Sequence, residues 1–255
     1  MNAAKNADRS AVLVTGASRG IGRATALLAA THGWPVAINY RNDARAAADT
    51  AAEVQKRGAA ATTIRGDVSV EADVVAMFAQ AQADLGPLRG VVINAGITAP
   101  AMRLADMSAD RLRRMLEVNV LGAYLCAREA ARALSRSRGG NGGSIVLVSS
   151  GAARLGSPAT YVDYAGSKAA LDTLAIGLGK ELGAEGVRVN SVRPGLVETE
   201  IHATTGDPDR ARKLGAATPL GRAGRPDEIA AAIVWLLSDS ASYVTGSVLD
   251  VSGGL

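Results

Sequence analysis

The sequence predicts a doubly wound α/β fold on a seven-stranded parallel sheet. Three observations carry this. Short β-branched runs alternate with long Ala-rich stretches along the 255 residues. Several runs are continuously apolar, which suits strands buried on both faces of a parallel sheet. The stretches between them space apolar residues as helices do. Such βαβ alternation implies right-handed crossovers, with helices on both faces of the sheet.

The expected strands are 11–15, 36–40, 60–65, 90–93, 144–149, 187–191 and 247–251. Between the first two, Ala24, Leu27, Leu28 and Thr31 form one helical stripe. Val74, Met77, Phe78, Ala81 and Leu85 form another, three and four residues apart, in a helix over 70–85. The breaker-rich segment 135–143 (SRSRGGNGG) separates a helix from the next strand and reads as a surface loop. With no linker rich in Pro, Gly and Ser to split it, 1–255 is expected to be one domain.

Composition excludes several function classes. Hydrophobic residues make up 48% and charged residues 20%, so the chain can bury enough apolar surface to fold. One Cys and two distant His, His32 and His202, argue against a metal site. Only 3% of residues are aromatic, and a net charge of +4 is scattered, so nucleic acid is not an expected partner. Residues 1–10 are polar, without the apolar stretch of a secretory signal. No run approaches the roughly 18 apolar residues of a membrane span. The expected location is cytoplasmic, with no membrane partner.

Chemistry begins at the first strand–helix turn, Thr15-Gly16-Ala17-Ser18-Arg19-Gly20-Ile21-Gly22. Such a turn is an anion site, because free N–H groups and the positive end of the helix dipole meet there. Gly16 would allow the sharp turn, Gly20 the approach of a pyrophosphate, and Gly22 close packing of the helix on the sheet. The spacing is G-x-x-x-G-x-G rather than the commoner G-x-G-x-x-G, and an ordinary βα turn is the alternative.

Further motifs follow in order: Asn94-Ala95-Gly96 after the fourth strand, Asn119 in a helix, and Tyr164-Ala165-Gly166-Ser167-Lys168. Pro194-Gly195-Leu196-Val197-Glu198-Thr199 and Tyr243-Val244-Thr245-Gly246 complete the set. Together the motifs resemble those of the short-chain dehydrogenase/reductase family over nearly the whole chain. Within it, the chain is similar to bacterial members labelled sugar dehydrogenases or 3-oxoacyl-[acyl-carrier-protein] reductases. The resemblance implies a Rossmann-type fold, hydride transfer between a nicotinamide cofactor and a carbonyl or alcohol, and a homotetramer.

It also implies roles for individual residues. Tyr164 would be the proton donor or base, Lys168 would hold the nicotinamide ribose, and Asn119 would order a relay water. Tyr164 and Lys168 lie four apart, on one helix face. At about 4 Å the ammonium would lower the phenol by up to about three pKa units. Tyr161 has no Lys at the fourth position and reads as pocket lining or packing. The family's Ser usually stands thirteen residues before the Tyr, where this chain has Gly151. Ser150 is assigned instead of Ser149, on the expectation that the following loop carries one extra residue.

The remaining cofactor contacts implied are Ser18, Arg19, Ile21, Tyr40, Arg41, Asp67, Val68, Asn94, Ala95, Gly96, Pro194, Gly195, Val197 and Thr199, with Asp67-Val68 at the adenine. The second strand ends Asn39-Tyr40-Arg41, with no acidic residue to hold adenosine ribose hydroxyls. Asp43 comes too late and is expected to cap the next helix. Arg19 and Arg41 stand where a 2′-phosphate would lie, and Arg suits phosphate through its planar fork. NADP is therefore expected over NAD, the alternative being that both Arg are solvated.

Segment 198–222 falls where the family carries its substrate lid. It contains Gly206, Asp207, Pro208 and Pro219. Arg210, Arg212 and Lys213 there would either attract an anionic substrate or face solvent. Cys126 reads as packing. Small residues Ala169, Ala170, Ala175, Gly177 and Gly179 would let the helix after Tyr164 pair across subunits or pack on its own sheet. Two further readings stay open: reduction of a 3-oxoacyl carrier-protein substrate, and a catalytically silent nucleotide-binding regulator. Glu185 weighs against the first; the presence of Asn119, Ser150, Tyr164 and Lys168 weighs against the second.

Overall fold

A computed structural model describes residues 10–201 and 209–255. Residues 1–9 and 202–208 lie outside the described residues, and with them His202, Gly206, Asp207, Pro208 and most of the polar N-terminal stretch. Seven parallel strands form one sheet in the order β3-β2-β1-β4-β5-β6-β7. They are β1 (Ala11–Val14), β2 (Val36–Tyr40), β3 (Ala61–Arg65), β4 (Leu88–Ile93), β5 (Gly143–Val148), β6 (Val187–Pro194) and β7 (Val248–Val251). The order reverses between β1 and β4, and that switch point is where a doubly wound sheet opens a crevice at its carboxyl edge.

Side-chain alternation along β1 assigns the two faces. Val12 and Val14 pack with Val92 and Val146 beneath α1 (Gly20–Thr31), α2 (Ala44–Lys56) and α9 (Pro226–Leu237). Leu13 packs with Val91, Ile145 and Leu147 beneath α3 (Glu71–Leu85), α5 (Gly122–Leu134) and α7 (Val162–Leu182). Strands covered on both faces must be apolar throughout, as the sequence shows. Cys126 lies in the second of these cores, fully buried, and burial pushes its thiol up to about 12.

Three shorter helices complete the set: α4 (Ala109–Leu116), α6 (Ala152–Leu155) and α8 (Arg210–Gly215). Asp43 caps α2, accepting the Ala46 N–H at 2.9 Å, as expected. Element ends differ from the sequence reading. β4 starts two residues earlier, because Leu88 already pairs with Ala11. β6 runs on to Pro194, since β7 pairs with Ser191 through Pro194 and a terminal Pro withholds little from the ladder. Loop 135–143 is more tightly packed than a free surface loop. A Cβ on Gly140 would stand 2.4 Å from the Leu134 carbonyl, and one on Gly143 would stand 2.3 Å from the Arg89 carbonyl oxygen.

Candidate active site

The first turn is built by its glycines and by two Asn side chains. Gly16 and Gly20 have φ of 63° and 55°, where a side chain would be strained. Asn39, almost fully buried at the end of β2, accepts the Gly16 N–H at 3.1 Å and donates to the carbonyls of Ile64 and Gly66. Asn94 donates to the carbonyls of Thr15 and Gly16 at 2.9 and 3.1 Å. The Thr15 hydroxyl accepts the N–H groups of Asn94 and Ala95. Gly22 packs on this assembly rather than on the sheet: a Cβ there would stand 2.5 Å from the Gly16 carbonyl oxygen. Arg19, the N-cap of α1, makes no side-chain cap, so the first-turn N–H groups stay available to an anion.

A cleft of about 480 Å3 opens over this turn. Its walls include Gly16, Ser18, Arg19, Gly20, Ile21, Tyr40, Arg41, Asp67, Val68, Asn94, Ala95, Gly96 and Thr199. Gly22, Pro194, Gly195 and Val197 are not among its walls. The carbonyl of Pro194 accepts the Gly151 N–H, Gly195 donates to the Val251 carbonyl, and Val197 bridges to Gly224. Those three shape the loops behind the cleft. Asn39 and Arg114 line it too, and the sequence reading missed both as site residues. An uncharged polar residue ending an apolar strand was the available signal for Asn39; nothing local marked Arg114.

The two arginines expected at a 2′-phosphate differ in their surroundings. Arg41 is already held by Asp67 at 2.8 Å, and Arg114 approaches the same carboxylate at 3.4 Å. Hydrogen bonds from Ser69 and these two cations hold the Asp67 carboxyl below its usual range, against the opposing effect of its burial. Arg19 has no ion-pair partner among the described residues.

Tyr164 and Lys168 are not among the walls of the cleft either; with Ser150 and Asn119 they form a polar constellation that meets the cleft through Gly96. Tyr164 stands in the first turn of α7 with Ser150 near enough to lower its phenol, and the Ser150 hydroxyl accepts the Ala152 N–H at 3.1 Å. Ser149 points elsewhere, donating to the Lys168 carbonyl at 2.9 Å. The loop 151–161 carries α6 and two non-glycine residues with positive φ, Ser157 and Ala159. Tyr161 is 8% exposed and meets Tyr164 edge-on, ring centroids 6.2 Å apart.

Asn119 lies in a single π-helical turn (Glu117–Leu121) between α4 and α5, where the sequence suggests plain helix. Such turns recur at functional sites. Here it turns a buried Asn inward: Asn119 accepts the Ile97 N–H at 2.8 Å and donates to the Ile97 carbonyl and to Ser167. Gly96 joins the parts, since a Cβ on it would stand 3.3 Å from both Asn119 Oδ1 and Lys168 Nζ.

One electrostatic expectation fails. Lys168 does not pull Tyr164 down in this arrangement. Its Nζ is 5.8 Å from the Tyr164 ring centroid and donates to the Val148 carbonyl at 2.8 Å. Burial pushes the Tyr164 phenol up, offset in part by the hydrogen bond from Ser150. Burial also lowers Lys168 from 10.5 to about 8, opposed by the negative charge of Asp172. A lysine with a depressed folded value binds fewer protons than the unfolded chain between those limits. Its burial cost is therefore full below about pH 8 and fades as pH rises towards 10.5. Denaturant unfolding without nucleotide should show this stabilising slope with pH, and Lys168→Met should remove it.

A parallel sheet with a glycine-rich first turn under a cleft at its switch point, and a Ser–Tyr–Lys–Asn cluster joined to that cleft through Gly96, fits a nucleotide-dependent oxidoreductase. Comparison with known proteins gives the same class. Residues 16–255 match a family model described as enoyl-(acyl carrier protein) reductase. The uncharacterized oxidoreductase YgfF of Escherichia coli K12 is 50% identical over 95% of this chain and 98% of its own. An L-rhamnose 1-dehydrogenase (NAD(P)(+)) of Sphingomonas sp. SKA58 is 42% identical over 96% of this chain and 95% of its own. A short chain dehydrogenase from Burkholderia cenocepacia J2315, solved in complex with NADP, superposes with a TM-score of 0.87. It is 32% identical, covering 96% of this chain and 97% of that one. The chain belongs to the short-chain dehydrogenase/reductase family and is an NAD(P)-dependent oxidoreductase acting on CH–OH groups. Among the described residues no helix is long and apolar enough to cross a membrane, and no group of His, Cys, Asp and Glu could hold a metal.

Proposed function

We propose that the protein moves a hydride between NADP(H) and a secondary alcohol or its ketone, with Tyr164 as the proton-transferring group. The observation that carries this is the gathering of Tyr164, Lys168 and Asn119 around Gly96, which itself walls the dinucleotide cleft. The positive-φ turn and uncapped first helix turn suit a pyrophosphate, and the crevice at the switch point suits a dinucleotide. When bound, NADP supplies the hydride acceptor or donor. In ketone reduction the Tyr164 hydroxyl gives its proton to the carbonyl oxygen as the carbonyl carbon receives the hydride, and in alcohol oxidation the Tyr164 phenolate takes the hydroxyl proton back. Ser150 donates a hydrogen bond to the substrate oxygen as charge develops there. Lys168 would hold the ribose, and Asn119 lies near it across Gly96, where a relay water would sit.

Ser150→Ala should lower kcat far more than Ser149→Ala, by about a hundred- to a thousandfold. Steady-state rates on any turned-over alcohol check this. Equal effects would mean that loop 151–161 does not place Ser150 at the reaction.

The preference for NADP over NAD rests on Arg19 and Arg41, and the NADP complex of the Burkholderia relative supports it. NADPH should bind at least about tenfold more tightly than NADH, since each charge-assisted bond contributes roughly 1.5–3 kcal/mol. Arg19→Ala should weaken NADPH by about one to two decades. Arg41→Ala should cost less, because Asp67 already holds that side chain. Fluorescence titration with both cofactors decides it; equal affinities would sink the assignment.

We read 1–255 as one nucleotide-binding domain with a substrate-covering segment over 198–222. A homotetramer is supported by the open outer face of α7, where Gly166, Ile176 and Gly177 are exposed; Ala175 and Gly179 instead face the protein's own interior. Sedimentation would test this.

A further inference from the structure

Arg210, the first residue of α8, carries an inference about substrate class. It rests on the reading of Tyr164 above. Arg210 is partly buried, and its guanidinium lies 5.1 Å from the centroid of the Tyr161 ring. Tyr161 in turn meets Tyr164 edge-on at 6.2 Å. A cation on the 198–222 segment is thus stacked two rings away from the proton-transferring hydroxyl.

The neighbouring charges are spoken for. Arg212 has Glu198 and Asp209 within 3.9 and 3.7 Å. Asp163, beside Tyr164 in sequence, is held by Arg111 at 2.9 Å. Arg210 has no carboxylate partner among the described residues. A guanidinium lying over a ring engages the aromatic face through its charge and keeps its N–H edge free to donate. That edge matches a carboxylate, which it can bind with two parallel hydrogen bonds.

We propose that Arg210 binds a carboxylate on the substrate, so that the enzyme acts on hydroxy acids and oxo acids in preference to their neutral counterparts. The reacting carbon sits at Tyr164 and Ser150, and the carboxylate lies towards α8, across Tyr161. Tyr161 is then the platform that aims the guanidinium, which accounts for a nearly buried aromatic ring beside the reacting tyrosine.

The test uses the full chain with NADP and paired alcohols that differ in charge: 4-hydroxycyclohexanecarboxylate with its carboxamide, and 3-hydroxybutyrate with its methyl ester. The unmodified protein should show at least about a tenfold higher kcat/KM for the acid of a pair, a difference that shrinks with added salt because it is partly screened charge. Arg210→Met should erase that ratio, mainly through KM for the acid. Arg210→Lys should restore part of it. Cofactor affinity, titrated separately, should not move; a change confined to the cofactor would place Arg210 at the nucleotide and overturn the proposal. Turnover of the neutral members with no preference for the acids would also overturn it, leaving the oxidoreductase reading intact. Cofactor binding with no turnover of any pair would overturn both.

Discussion

Tyr164→Phe is expected to lower kcat by roughly a hundred- to ten-thousandfold, the usual contribution of a positioned acid or base. NADPH affinity should be unchanged, because only a hydroxyl facing Ser150 is removed. The ring and its edge contact with Tyr161 remain, so folding should be undisturbed. Tyr161→Phe is the control. It keeps the aromatic platform and should retain substantial turnover. Single-turnover rates and nucleotide titrations on both variants separate chemistry from binding. If Tyr161→Phe is the inactive variant, the helix start has been misread. The alternative of a silent nucleotide binder predicts no turnover to lose.

Gly22→Ala is expected to cripple nucleotide binding. Its methyl would stand 2.5 Å from the Gly16 carbonyl oxygen, 2.6 Å from Asn94 Nδ2 and 3.0 Å from the Ala17 Cα. Two of these neighbours are backbone, and the third holds the turn through two hydrogen bonds. Overpacking of this kind costs about 1–3 kcal/mol. Displacing the turn also moves the amides that meet the pyrophosphate. NADPH affinity should fall by at least about tenfold to a hundredfold. Gly183→Ala is the control, since a methyl there meets nothing within 4 Å. Equal nucleotide affinity in Gly22→Ala and the unmodified protein would show that the turn can give way without cost.

The strands and helices were legible because burial on both sheet faces leaves an apolar signature that needs only local sequence. Strand ends were less so: β6 extends to Pro194 because β7 is there to pair with it, which no local pattern records. In the site, the glycine turn and the Tyr164–Lys168 pair were readable because their geometry is local, one turn of chain or one turn of helix. The choice of Ser150 over Ser149 rests on an assumed extra residue in loop 151–161, whose positive-φ residues spacing does not reveal.

By itself the sequence determined the α/β class, the glycine-built first turn, and which residues can carry protons and charge. Tertiary structure decided what those groups feel. Asn39 and Asn94 brace Gly16 from 23 and 78 residues along the chain, separations that only sheet pairing closes. Arg41 is paired to Asp67, while Arg19 is not. Lys168 donates a hydrogen bond to the Val148 carbonyl instead of acting on Tyr164, and burial sets both groups away from their ordinary values. The physical reason is common to all of these. Which residue types are present is a property of the chain, whereas desolvation and pairing depend on what the fold brings within a few ångströms, and a charge responds to those neighbours far more than to its place in the sequence.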